Sequence, residues 1–300
     1  MLRGQAIYIK NSVARECYLY TTVAIHNYIR CAARSTFRSR KGKSRLLIAV
    51  VTAFLTGTFA TNAFAGEVVV AAASDLSFPI KEIIARFEKQ SGHSVKLTLG
   101  SSGNFQAQII NGAPFDVYIS ADVDYVRRLE QRGMVEPKTL VVYAVGRLVI
   151  WVRNGSTLDV QKLGMKTLEQ PGVRRIAIAN PDVAPYGRAA VAALRHYHLY
   201  ERVAPRLVLG ENIAQAAQFV SSGAADAGLI AHSFALSDPM RTAGRYWEIP
   251  LDAYPKLNQG MAILTQARKA NHLEAARAFY NWFQNEASRA VLMKYGFSLP

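Results

Sequence analysis

The sequence is poor in cysteine. Among 300 residues only Cys17 and Cys31 are cysteine, and both precede residue 66. A chain trimmed at that point has no disulfide, no thiol nucleophile and no cysteine metal site. Long unbroken apolar runs are also missing. The best candidate, LLIAVVTAFLTGTFATNAFA over 46–65, is interrupted by Thr52, Thr56, Gly57, Thr58, Thr61 and Asn62. That argues against a membrane span. Arg38, Arg40, Lys41, Lys43 and Arg45 come before it, and Ala63-Phe64-Ala65 closes it with small-x-small. Residues 1–65 therefore read as a leader with a secretory signal peptide cleaved after Ala65. The leader holds no twin-arginine pair, and no cysteine stands at the cleavage point. Periplasmic secretion of a soluble, non-lipidated product is expected. Residues 1–37 form a mixed preamble that such a signal does not need, which suggests a start assigned too far upstream.

Acidic residues are few: 21 Asp and Glu against 36 Lys and Arg, a formal net charge of +15. Much of the imbalance belongs to the leader, which carries 10 basic residues and 1 acidic residue. From residue 66 onward the balance is 26 to 20, a net of +6. That is poor ground for a nucleic-acid partner. No helix-turn-helix pattern precedes the apolar stretch, and a secretion signal conflicts with the effector domain of a cytoplasmic regulator. Low-complexity segments and short repeats are absent after the leader. The 235 residues that follow it suit one large domain or two small lobes.

What is present is alternation. EVVVAAAS (67–74), VKLTLG (95–100), DVYIS (116–120), LVIWV (148–152), RRIAIAN (174–180), RLVLG (206–210), AGLIA (227–231) and GMAIL (260–264) read as strands. Helical spacing lies between them. Ile80, Ile83, Ile84 and Phe87 share one helix face, and helices are expected over 104–113, 123–133, 184–200 and 211–223. A helical tail places Leu273, Ala276, Phe279, Tyr280 and Phe283 together. Repeated strand–helix units imply an α/β protein with largely parallel sheets.

In such sheets ligands bind at the carboxyl ends of strands. Four loops there open helices: Ala73 to Leu76, Gly100 to Asn104, Asn180 to Gly187, and Gly210 to Ile213. Each helix start offers unpaired amides and a partial positive charge. Serine hydroxyls add donors, and glycine permits close approach. Any one loop reads equally well as a simple cap. Several converging would hold an oxyanion without a cationic side chain.

AAASDL, GSSGNFQAQIINGAPFDVYISAD, ANPDVAPYGRAAVAAL, LGENIAQAAQFVSSGAADAGLIA and KYGF occur in that order. Over residues 67–300 the chain resembles the molybdate-binding periplasmic proteins of ABC transporters. The resemblance implies a type II periplasmic-binding-protein fold of two lobes, with the ligand in the cleft between them. It implies an oxyanion site of Ser74, Asp75, Ser102, Tyr186 and Ile213, and an inner-membrane ABC permease as partner. Molybdenum, or tungsten, would enter only as the oxyanion held by those residues, with no other cofactor and no catalysis. The protein is expected to be a monomer. Lobe one is expected over 66–145 and 257–300, and lobe two over 146–256. Some members carry a tyrosine after the strand written AGLIA here, where this chain has Ala231; others carry it in the loop that holds Tyr186.

The chemistry of the residues agrees with a donor-only site. Molybdate, tungstate and sulfate are dianions with no proton to offer, whereas hydrogen phosphate would use an acceptor. Asp75 is the acceptor in question. Its expected role is a cap, with the carboxylate on helix amides and its own N–H left for the ligand. The alternative is an acceptor for phosphate. A serine hydrolase built on Ser102, His232 and Asp226 lacks the Gly-x-Ser-x-Gly turn. His196 and His198, two apart, point to different helix faces and read as solvated. Trp151, Trp247 and Trp282 read as core or cleft wall. Arg188 reads as a surface residue of a first helical turn, and is the one cation near the loops.

Overall fold

The computed structural model describes residues 66–300, so the expected leader and the expected cleavage after Ala65 lie outside the described residues. Ten strands occur among them: β1 (Glu67–Ala73), β2 (Ser94–Gly100), β3 (Val117–Ser120), β4 (Val141–Gly146), β5 (Leu148–Arg153), β6 (Ile176–Ala179), β7 (Leu207–Gly210), β8 (Ala227–Ala231), β9 (Gly244–Glu248) and β10 (Leu257–Ile263). The longer helices are α1 (Pro79–Ser91), α2 (Ser102–Ile110), α3 (Val123–Gln131), α4 (Pro185–His196), α5 (Ile213–Ser222), α6 (Leu273–Phe283) and α7 (Glu286–Lys294).

The strands form two five-stranded sheets, ordered β2-β1-β3-β10-β4 and β7-β6-β8-β5-β9. Each has a parallel core of three strands, β2-β1-β3 and β7-β6-β8. Each is completed by two antiparallel neighbours, β10 with β4 and β5 with β9. The chain is thus two-lobed α/β. It passes from the first sheet to the second through Arg147, between β4 and β5, and returns between β9 and β10.

Side-chain alternation explains why the first sheet is covered twice. Val68, Val70 and Ala72 of β1 join Ile80, Ile83 and Phe87 of α1 and Phe279 and Phe283 of α6. Ala71 points the other way, into a cluster with Phe105, Tyr118, Val126 and Leu129. The second sheet is built around Leu148 to Val152, a run wholly buried on both faces.

Local signals set the helix starts. Pro79 and Pro185 occupy first turns, where a missing N–H costs nothing. Ser101, Asp122 and Asn212 cap α2, α3 and α5 with side-chain oxygens. The helix expected over 184–200 ends earlier, at His196. His198 adopts a left-handed backbone (φ 55°), which breaks the helix before a separate turn over Tyr200–Val203.

Candidate functional site

Four loops converge between the two sheets. Ala73, Ser74 and Asp75 after β1, Gly100 to Ser102 after β2, Ala184 to Tyr186 at the start of α4, and Asn212 and Ile213 at the start of α5 line one small cavity, with Ala121 on its wall. Ser74, Asp75, Ser102, Tyr186 and Ile213 all contribute to this lining. The first three come from the first sheet's side and the last two from the second's.

The sequence GSSGN now reads residue by residue. Ser101 caps α2, accepting from the Asn104 amide at 3.4 Å, and donates its hydroxyl to the Val183 carbonyl at 2.9 Å. The Gly103 amide reaches the same carbonyl at 2.9 Å. A Cβ on Gly103 would lie 2.8 Å from that oxygen, so only glycine permits this approach. Ser102 is almost fully buried. Its Oγ accepts from the Ala121 amide at 3.0 Å, which leaves its own proton to donate. The serine after β1 behaves differently. Ser74 Oγ lies 3.2 Å from Asn212 Oδ1 and 3.4 Å from the Ala214 amide, joining the first lobe to the start of α5. Ile213 opens α5, so its N–H has no partner within the helix.

The lobes are clasped by further pairs. Arg188 of α4 holds Asp122 at 2.6 Å and the Tyr125 hydroxyl at 2.7 Å, with its guanidinium 5.2 Å from the Tyr125 ring centroid. Arg188 is therefore engaged at the rim and is not among the cavity's lining residues. Among the described residues the lining includes no Lys, Arg or His. Ala231 is fully buried at the end of β8, paired with Leu148, and does not line the cavity either.

Asp75 does not make the cap expected of it. No side chain caps the Ser74–Leu76 turn. The carboxylate is fully buried, with Oδ2 hydrogen-bonded by Gln259 Nε2 of β10 and Oδ1 without a partner. Gln259 Oε1 in turn accepts from the Tyr143 hydroxyl, and its Nε2 also faces Tyr186 Oη at 3.3 Å. Burial pushes the Asp75 carboxyl up to about 7. Gln259, Tyr186 and the amides of Asp75 and Leu76 oppose that shift without cancelling it. Burial likewise pushes the Tyr143 and Tyr186 hydroxyls well above the usual phenol range, so both stay protonated. Gln259 and Tyr143 escaped the sequence reading. The available signal was a pair of amides, Asn258 and Gln259, in the otherwise apolar LNQGMAIL.

Ser102, His232 and Asp226 make no hydrogen-bonded chain. The Asp226 carboxylate accepts from the amides of Arg174 and Arg175, and neither nitrogen of His232 has a partner.

This arrangement is a two-sided cleft lined by hydroxyls and helix-start amides. The sequence pattern of the bacterial extracellular solute-binding proteins matches residues 68–298. The chain belongs to that family. As a solute-binding protein it is similar over most of its length to two characterised members. The molybdate-binding protein ModA of Azotobacter vinelandii is 38% identical over 256 residues, covering 85% of this chain and 98% of the relative. ModA of Rhodobacter capsulatus is 35% identical over 239 residues, covering 79% and 90%. The solved structure of the Azotobacter vinelandii periplasmic molybdate-binding protein aligns with a TM-score of 0.71 at 33% identity, over 78% of this chain and 99% of that one.

Proposed function

We propose that this solute-binding protein captures molybdate or tungstate in the periplasm and hands it to an inner-membrane ABC permease. It acts as a monomer and performs no bond-making chemistry. The observation that carries the reading is the cavity lining: Ser102 with a free proton, the amides of Ser102, Tyr186 and Ile213 at the starts of α2, α4 and α5, and, among the described residues, no cationic side chain. Such a site suits a fully deprotonated tetrahedral dianion. The relatives named for molybdate support the choice of ion. We assign lobe one to 66–145 and 257–300, lobe two to 146–256, and signal cleavage to the bond after Ala65.

Calorimetric titration of the purified protein with molybdate, tungstate, sulfate and phosphate tests the reading. One molybdate or tungstate per chain, bound more tightly than sulfate or phosphate, is expected. Phosphate binding tightest would instead make Asp75 an acceptor for the ligand's proton. Scattering profiles should show compaction on adding molybdate, as hinge closure about the two crossings requires.

The rim pair gives a second expected result. Arg188 and Asp122 remain 40% and 25% exposed, so solvent screens their attraction. Asp122→Asn and Arg188→Leu should each weaken molybdate binding by about three- to tenfold, mainly through faster release. The double variant should lose no more than either single one. Additive losses would show that the two side chains act separately.

A further inference from the structure

Among the described residues Asp75 is the only carboxylate lining the cavity. It is fully buried, and its Oδ1 has no hydrogen-bond partner. The groups packed around it supply no positive charge. Gln259 of β10 is neutral. Tyr143 of β4 and Tyr186 of α4 face the carboxyl as neutral phenols, and Tyr254, behind Tyr186, is also held protonated by burial. The turn over His232–Ala235 contributes Ser233, whose hydroxyl donates to the Asp75 carbonyl at 2.6 Å. His232 beside it is kept neutral by burial, and the charges of Arg147 and Glu248 bear on His232 and Tyr254. Among the described residues, the groups that act on Asp75 itself are Gln259, Tyr186 and the amides of Asp75 and Leu76, none of them charged.

An ionised Asp75 would therefore sit unpaired in a dry cleft beside the bound dianion. Like charges at close range in a buried site cannot both persist cheaply. We propose that Asp75 is protonated whenever the cleft holds its oxyanion, so that capture of one dianion takes up one proton. The proton comes from the buffer acid in solution and ends on the carboxyl, with the unpartnered Oδ1 its natural seat. The dianion stays unprotonated and no other bond changes. The carboxyl then becomes one more neutral donor, in a site that otherwise consists of donors. Burial in the closed cleft already brings the carboxyl to about 7, and a neighbouring dianion raises it further. This inference rests on the oxyanion reading above and adds the protonation state to it.

The test is calorimetry of the purified protein with sodium molybdate at pH 6, 7.5 and 9, each in buffers of different ionisation enthalpy. The dependence of the observed heat on the buffer counts protons taken up. Uptake approaching one proton per molybdate at pH 7.5 or above is expected, with affinity falling about tenfold per pH unit in that range. Asp75→Asn should show uptake near zero and a flat pH profile, and should bind at least tenfold more tightly than the unaltered protein at pH 9. The measurement on the unaltered protein decides the matter even if that variant fails to fold. Molybdate binding without proton uptake at all three pH values overturns the proposal and leaves the oxyanion reading standing. Phosphate bound more tightly than molybdate, also without uptake, overturns it too, because the ligand then brings the proton. No heat with molybdate, tungstate or sulfate overturns the oxyanion reading and this inference together.

Discussion

Gly146→Ala should cut molybdate affinity about a hundredfold while leaving both lobes folded. Gly146 ends β4, directly before the chain crosses to the second sheet. A Cβ built there lies 2.2 Å from Tyr186 Oη, 2.7 Å from Gln259 Nε2 and 3.1 Å from Tyr186 Cζ. The backbone torsion is ordinary, so the methyl acts only through space. Gly146 ends a strand of the first sheet and Tyr186 starts α4 beside the second, hence the contact with Tyr186 falls on the closed arrangement, while the Gln259 amide of the neighbouring strand β10 must also shift within the first sheet. Overpacking of this kind costs roughly 1–3 kcal/mol, which is about five- to 150-fold in affinity. Scattering should show a protein that no longer compacts with molybdate, and the thermal midpoint of the ligand-free form should move little. The nearest atom is the hydroxyl oxygen, so adding Tyr186→Phe should relieve the worst of the clash and leave only the contact with Gln259. The double variant is then expected to bind no worse than Gly146→Ala alone. Unaltered affinity for Gly146→Ala would mean that Tyr186 sits elsewhere when the cleft is occupied.

Much of this was legible in the sequence because it is written locally. The parallel strands are short apolar runs, and the loops that follow them carry Ser, Asn and Pro at positions where a helix must start. The antiparallel half was legible only in part: LVIWV and GMAIL read as strands, while β4 and β9 went unread. VVYAVG and LVIWVR are separated by Arg147 alone, and the crossing expected near Gly146 came from the family resemblance, because no break in that near-continuous run marks it. GRYWE (β9) is a half-exposed edge strand without clean alternation, so it left no period to find. The partner of Asp75 was hidden for a different reason. Gln259 lies 184 residues away along the chain, and only the antiparallel insertion of β10 between β3 and β4 brings it under the first loop. Read alone, the Ser-Asp pair before a helix looked like a cap, which is its commonest meaning. Burial beside an amide and two phenols gives the carboxyl another role.

Tyr186→Phe is expected to weaken molybdate binding by about ten- to a hundredfold without disturbing the fold. Tyr186 is 1% exposed, on the first turn of α4, between Pro185 and Gly187. Its oxygen lies 3.3 Å from Gln259 Nε2, which donates to it, so the phenol proton remains for an acceptor. Burial keeps that proton in place at any physiological pH. Two acceptors compete for it, the Asp75 carboxylate when ionised and the oxyanion when bound. Tyr186 already lies close enough to lower the Asp75 pKa, although Oδ1 has no well-formed hydrogen bond. Once the dianion arrives and Asp75 is neutral, the oxyanion is the stronger acceptor. A hydrogen bond to a charged group contributes roughly 1.5–3 kcal/mol, which sets the expected loss. Phenylalanine fills the same space and leaves Gln259 on Asp75, so the thermal midpoint should hold. Tyr186→Ala should lose at least as much affinity, because it also opens a void that water can enter. If Tyr186 is only a wall that offers its backbone amide, the Phe variant will bind like the unaltered protein and only the Ala variant will suffer. Calorimetry on the Phe variant separates the two roles, and an unchanged affinity would remove the hydroxyl from the site while leaving its amide there.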